Sequence, residues 1–177
     1  MVKHTLIGPS ILAADFLRLA QQLSDAEDGQ ADFIHVDVMD GRFVPNISIG
    51  LPILEAVRRG TTLPLDVHLM IVEPERWVER FAKAGASRIT FHIEACTDPQ
   101  ATLAAIVEAG AVPGVALNPS TSLTLIEEIL PFTDQIVIMS VTPGYGGQRF
   151  LPSSLDRIRR VRALVDKRNA GCRLEVD

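Results

Sequence analysis

Phe33-Ile34-His35-Val36-Asp37-Val38-Met39-Asp40-Gly41 alternates large apolar residues with His35 and Asp37, and a period of two is the signature of a β-strand with distinct faces. His35 and Asp37 therefore point the same way, roughly 6 to 7 Å apart along one strand face. An imidazole and a carboxylate at that spacing can both turn toward a divalent cation or toward one substrate atom. Asp40-Gly41 marks the turn where the strand stops. Parallel sheets keep their chemistry at the carboxyl ends of their strands, so partners for this pair are expected at other strand ends.

Ahead of this stretch, Leu6 to Leu12 reads as a short buried strand broken by Gly8-Pro9, with Ser10 near its end; a helix follows from about Asp15, an N-cap, to near Gly29. Behind it lies a helix around Pro52 to Arg59, closed by Gly60. Further strands are expected at 65–70, 88–94, 113–118, 135–141 and 173–177, and further helices at 74–84, 99–110, 122–130 and 152–167. Strands recurring every roughly 25 to 35 residues with one helix between them are βα units with right-handed crossovers. The pattern predicts a parallel sheet, either an open wound sheet or an incomplete (β/α)8 TIM barrel. An open sheet collects ligand groups at one crevice, whereas here Ser10, His35, Asp37, His68, Glu94, Asn118, Ser140 and Asp177 would ring one mouth, which favours the barrel. Eight-stranded barrels usually need about 200 residues or more, so a chain of 177 is short for one.

Hydrophobic residues at 47% and aromatics at 5% suit one aliphatic core, and a single α/β domain over residues 1–177 is expected. A net charge of -5 leaves no basic field for phosphodiester backbones, so nucleic acid is not an expected partner, although small anions could bind locally. Cys96 and Cys172 form neither a CxxC pair nor a disulfide framework, which suits a reducing cytosol, and both read as buried small hydrophobes. Met1 to Pro9 lacks the core of a signal peptide, and no apolar run approaches the roughly 20 residues of a membrane span. A soluble, cytoplasmic protein without a membrane partner is the expectation.

The strongest constellation is His35-x-Asp37 beside Asp66-x-His68, each followed two residues on by a methionine. On neighbouring parallel strands both pairs would face one space, with Asp177 ending the last strand in the equivalent place; two imidazoles and two carboxylates suit zinc, iron or manganese. His92-x-Glu94 repeats the pattern and reads as a supporting or structural pair. Met39, Met70 and Met139 fall near strand ends, as gap-filling core or as a soft, dry lining around a reactive intermediate. Val141-Thr142-Pro143-Gly144-Tyr145-Gly146-Gly147-Gln148 carries three glycines ahead of a helix, so backbone N–H groups could converge on a phosphate. It matches no dinucleotide or nucleoside-triphosphate spacing, which leaves a small phosphate ester.

Gly8 to Phe16, His35 to Asn46, Asp66 to Met70, Asn118 to Thr121 and Met139 to Phe150 closely resemble the ribulose-phosphate 3-epimerase family. The likeness runs from near the start of the chain to its last residue. It implies a (β/α)8 barrel that interconverts D-ribulose 5-phosphate and D-xylulose 5-phosphate with one bound divalent metal: zinc, iron or manganese, with cobalt also admissible. By motif, His35, Asp37, His68 and Asp177 match the family's metal ligands, and Asp37 and Asp177 its acid/base pair. Ser10 and His68 match substrate contacts; Gly144, Tyr145, Gly146, Gly147 and Gln148 match the phosphate-side loop. His92 and Glu94 match no ligand position. A homo-oligomer is the expected assembly.

The family continues past Asp177 with a Gly-Gly pair, a seventh helix, an eighth strand and a further phosphate-binding turn. The chain as given is therefore expected to be a barrel truncated after the seventh strand, or one incompletely traced. Competing readings are an epimerase for a six-carbon ketose phosphate such as allulose 6-phosphate, a lyase or decarboxylase passing through an enediolate, and an inactive metal-binding fragment. A lyase would want a lysine at the mouth, and Lys3, Lys83 and Lys167 all fall away from strand ends.

Overall fold

Six strands, Ile34–Met39 (β1), Leu65–Met70 (β2), Arg88–His92 (β3), Val112–Leu117 (β4), Gln135–Ile138 (β5) and Arg173–Val176 (β6), lie side by side in chain order and are parallel throughout. The structure is a computed structural model that describes residues 5–169 and 171–177. Lys3 and the start of the Met1 to Pro9 segment lie outside the described residues. Each crossover carries a helix: Leu51–Gly60 (α2), Val78–Lys83 (α3), Pro99–Glu108 (α4), Thr124–Ile129 (α5) and Ser154–Arg168 (α6) follow β1 to β5, while Leu19–Asp28 (α1) precedes β1. In-order parallel strands with helices on the outside make a partial (β/α)8 barrel.

The helix signals in the sequence have direct physical counterparts. Asp15 accepts the Leu17 N–H and caps a 3-10 turn that runs into α1, and Asp98 accepts the Ala101 N–H ahead of Pro99 at the start of α4. Gly85 and Gly110 follow α3 and α4 with positive φ, the left-handed stop that favours glycine.

Period-two alternation sorts the strand residues into two sets. Ile34, Val36, Val38, Leu65, Val67, Leu69, Ile89, Phe91, Val115, Leu117, Ile136 and Ile138 share one continuous core with helix residues such as Leu23, Leu54, Val57, Phe81, Leu103, Ile106, Val161 and Val165. The other set faces the barrel interior and is largely polar: His35 and Asp37 on β1, Asp66 and His68 on β2, Thr90 and His92 on β3, Gln135 on β5, Glu175 on β6, nearly all buried. The methionines separate out as well, Met39 with Met70 and Met139 with Val137, in two small inner clusters.

The expected first strand is the main departure. Residues 6–12 lie alongside β1 but make a single bridge, Ser10 to His35, with Ile7 O accepting Asp32 N–H and Pro9 O accepting His35 N–H. Pro9 has no N–H to continue a ladder, and Gly8 sits where a Cβ would lie 2.0 Å from the Phe33 ring. The expected strand at 88–94 also ends early, as Ile93–Ala95 turns into a 3-10 helix. Cys96 and Cys172 are free, and burial pushes both thiols up to about 11. Among the described residues no helix is long and apolar enough to cross a membrane.

Candidate active site

The parallel register of β1 and β2 pairs His35 with Asp66, Asp37 with His68 and Met39 with Met70, so inward side chains stack in layers. In the middle layer Asp37 Oδ1 lies 3.2 Å from His35 Nε2 and 3.1 Å from His68 Nδ1, and Asp177 Oδ2 lies 3.6 Å from the same His68 nitrogen. One ligand atom from each of His35, Asp37, His68 and Asp177 falls within 4.8 Å of the others. Two imidazole nitrogens and two carboxylate oxygens converging on one point form a donor set that fits a divalent cation of the zinc, iron or manganese type. The four sequence-expected ligands are brought together.

Asp66 is not with them. It was expected to share the space of His35, Asp37 and His68, but the register sets it level with His35 and one layer below Asp37 and His68, where one ligand atom from each of His35, Asp66 and Glu175 falls within 4.8 Å of the others. There Gln135 Nε2 donates to Asp66 Oδ2 at 3.0 Å and to Glu175 Oε2 at 2.7 Å, and Arg88 lies 3.6 Å from Asp66. Burial, aided by the negative charge of Glu175, pushes the Asp66 carboxyl up to about 6. Glu175 had no signal of its own in the sequence beyond lying two residues before Asp177. Its Oε1 is 3.3 Å from His35 Nδ1, placing a carboxylate behind one candidate ligand as metal sites commonly do. Burial opposes ionisation of Glu175, but hydrogen bonding and charge from His35 outweigh it and hold the carboxyl low.

Asp37 is balanced in the same way. Burial disfavours its charge, yet hydrogen bonds from His35 and His68 hold it well below the usual carboxylate range. Burial likewise opposes the charge on His35, and Asp37 and Glu175 overcome it, raising the imidazole. The remaining oxygen, Asp37 Oδ2, accepts the Ser10 hydroxyl at 2.5 Å.

Above this layer opens a cavity of about 280 Å³, lined by Ser10, Asp37, Asp177, the three methionines Met39, Met70 and Met139, and the loop residues Gly144, Tyr145, Gly146, Gly147 and Gln148. His35 and His68 lie beneath its floor. The loop has its own fastenings. Gln148 Nε2 donates to the carbonyls of Thr142 and Tyr145, and Asn46 Nδ2 donates to Gly144 O across 98 residues of chain. Gly144 and Gly147 carry φ of 131° and 73°, which side chains disfavour. The Asn46 tie had no sequence signal, because nothing local marks a contact made between distant loops.

His92 adjoins the cluster without entering it. Its Nε2 is 2.9 Å from His68 Nε2 and its Nδ1 is 3.3 Å from Glu94 Oε2. Burial pushes the His92 ring down to about 4. Glu94 Oε1 accepts the Asn118 N–H and the Thr121 hydroxyl, so Glu94 and Asn118 serve each other and do not line the cavity. Neither Lys83 nor Lys167 lines it.

Residues 6–177 match the family model described as the ribulose-phosphate 3 epimerase family. The chain belongs to that family. It is 52% identical to the ribulose-phosphate 3-epimerase of Synechocystis sp. over 179 aligned residues, which cover 100% of this chain and 78% of that protein. With the Bacillus subtilis ribulose-phosphate 3-epimerase it shares 50% identity over 92% of this chain and 75% of the relative. A mutant tryptophan synthase α-subunit from Pyrococcus furiosus superposes with a TM-score of 0.66, covering 97% of this chain and 86% of that one at 13% identity. That likeness shows the fold alone. In this epimerase-family chain the cavity opens at the carboxyl ends of the strands, marked by Met39, Met70, Met139 and Asp177, where barrels hold their sites.

Proposed function

We propose that this chain interconverts D-ribulose 5-phosphate and D-xylulose 5-phosphate by proton transfer at C3, with Asp37 and Asp177 as the acid/base pair. Inverting a carbon beside a ketone takes a proton from one face and delivers another to the opposite face, so two carboxyl groups flanking that carbon suit the task. The observation that carries this reading is that Asp37, from the first strand of the sheet, and Asp177, just past the last, line one cavity above a shared ligand set.

A divalent cation held by His35, Asp37, His68 and Asp177 would supply positive charge beside the enediolate oxygens, worth several kcal/mol. The chain's own groups do the rest. One carboxyl takes the C3 proton while the other, protonated, returns one, and their titrations are coupled because both address the same point. Ser10 orients Asp37 through Oδ2 and contacts substrate. Met39, Met70 and Met139 keep bulk water from the intermediate. Gly144 to Gln148 hold the phosphate through backbone N–H groups, which keeps the reacting carbon in register. The cation is zinc, iron or manganese, with cobalt able to substitute. The enzyme works in the cytoplasm, as a homo-oligomer; Leu17, 97% exposed beside Phe16, is surface that a second copy could cover.

A coupled assay with ribulose 5-phosphate, run with and without chelator, tests the activity. Deuterium incorporation at C3 without C–C cleavage separates epimerase from lyase. Asp37→Asn and Asp177→Asn each remove nearly all turnover while leaving the fold; a near-normal rate in Asp177→Asn refutes the two-carboxylate scheme.

A further inference from the structure

The glycine-rich loop over the cavity has its carbonyls held and its N–H groups free. Gln148 Nε2 donates to Thr142 O at 2.6 Å and to Tyr145 O at 2.8 Å, and Asn46 Nδ2 donates to Gly144 O at 2.8 Å. Among the described residues no acceptor takes the N–H of Tyr145, Gly146, Gly147 or Gln148. In a planar trans peptide the carbonyl and the following N–H point in opposite directions. Holding Gly144 O therefore sets the direction of the Tyr145 N–H, and holding Tyr145 O sets that of the Gly146 N–H. Gly144, Tyr145 and Gly146 line the cavity and Asn46 does not, so the Tyr145 N–H faces away from a group that stands behind the loop.

Asn46 is itself tied to β1. Its carbonyl accepts the Gly41 N–H at 2.9 Å, and two residues on Ser48 Oγ donates to Asp37 O at 2.7 Å and accepts the Met39 N–H at 2.9 Å. Asp40 holds the other end of this segment through the N–H groups of Arg42 and Phe43. Val44 and Pro45 back Gly144, where a Cβ would lie 3.6 Å and 3.8 Å from them. We propose that Asn46 is a positioning residue: it turns the Gly144–Tyr145 peptide so that the Tyr145 N–H, with the free N–H groups after it, meets the substrate's phosphate. This rests on the reading of the substrate as a phosphate ester gripped by that loop. The strand that carries Asp37 then also carries the brace for the phosphate, which fixes one relative to the other. Such a brace acts on binding and leaves the chemical step alone.

Asn46→Leu removes the donor at nearly constant size. With saturating metal, KM for ribulose 5-phosphate should rise about 3- to 10-fold, the loss of one neutral hydrogen bond, while kcat stays within about twofold. Inorganic phosphate titrated into the metal-free wild type should shift the backbone ¹H–¹⁵N signals of Tyr145 and Gly146. In Asn46→Leu the phosphate Kd should rise about 3- to 10-fold as well. A rise of less than about threefold in either KM or that Kd overturns the proposal. So does a variant with a lower unfolding midpoint or a lower kcat and unchanged KM, the mark of a purely structural role. Should Asn46→Leu fail to fold, the wild-type titration decides alone: Tyr145 and Gly146 amides that do not respond to phosphate overturn it. Wild-type protein that does not turn over ribulose 5-phosphate defeats the functional reading instead, and the phosphate titration still reports on Asn46.

Discussion

Replacing Ser10 by Ala separates the two oxygens of Asp37. Oδ1 is occupied by both imidazoles, whereas Oδ2 has the Ser10 hydroxyl at 2.5 Å and lies at the edge of the cavity. A hydrogen bond from a neutral donor to a charged acceptor contributes about 1.5–3 kcal/mol. If Asp37 must hold its orientation through proton transfer, that loss raises the barrier by the same amount, a fall of about 10- to 150-fold in kcat/KM. Zn²⁺ affinity should stay within about threefold, because the atom facing the imidazoles is untouched. Ser10 also accepts the Leu12 N–H at 3.2 Å and caps the short turn behind it, so a stability loss of about 0.5–1 kcal/mol is expected. Steady-state kinetics at saturating metal, with urea unfolding of the same samples, measures all three. A kcat/KM within twofold of wild type would show that Asp37 needs no help at Oδ2 and would refute this account of how the base is held.

Gln135→Leu takes the shared donor away from Asp66 and Glu175 and leaves two buried carboxylates facing each other. A destabilisation of about 3–4 kcal/mol is expected by urea unfolding, and a loss under 1 kcal/mol would contradict it. Gly114→Ala sets a Cβ 2.2 Å from Thr90 Oγ1 inside the barrel and should cost about 1–3 kcal/mol through overpacking; adding Thr90→Ala should recover part of it in thermal melts. Asp40 accepts the N–H groups of Arg42, Phe43 and Val72, and although burial opposes its charge, these bonds hold its carboxyl below the usual 3.8. Its contribution to stability is therefore present above pH 3.8 and lost as pH falls through the lower native value. Asp40→Asn should flatten that acid limb of the unfolding curve, and an unchanged limb would place the acid sensitivity elsewhere.

Much of this architecture is legible in the sequence because alternation reports which way a side chain faces. His35, Asp37, His68 and Asp177 share a face and a strand end, and the structure places them within one coordination distance. Alternation does not report depth. Asp66 has the same facing as His68, yet the register with β1 sets it level with His35 and a layer below His68, into the company of Gln135 and Glu175. Depth depends on how strands are staggered, and stagger is a property of pairs of strands. The first strand failed for a local reason, since Pro9 lacks a donor and Gly8 is pressed against Phe33. His92 and Glu94 were visible as a pair, but the contact of His92 with His68 could be seen only once β3 stood beside β2.

The main apolar grip of this barrel is on its outside, where aliphatic strand residues meet the helices, while the inner faces carry imidazoles, carboxylates and amides beside two small methionine clusters. Chemistry and cohesion thus occupy opposite sides of the same backbone. Residues on the inner wall could be exchanged for others of similar bulk, provided each new polar atom found a partner, without loosening the sleeve that surrounds them. A scaffold so divided can be refitted for a different reaction while its architecture stands still.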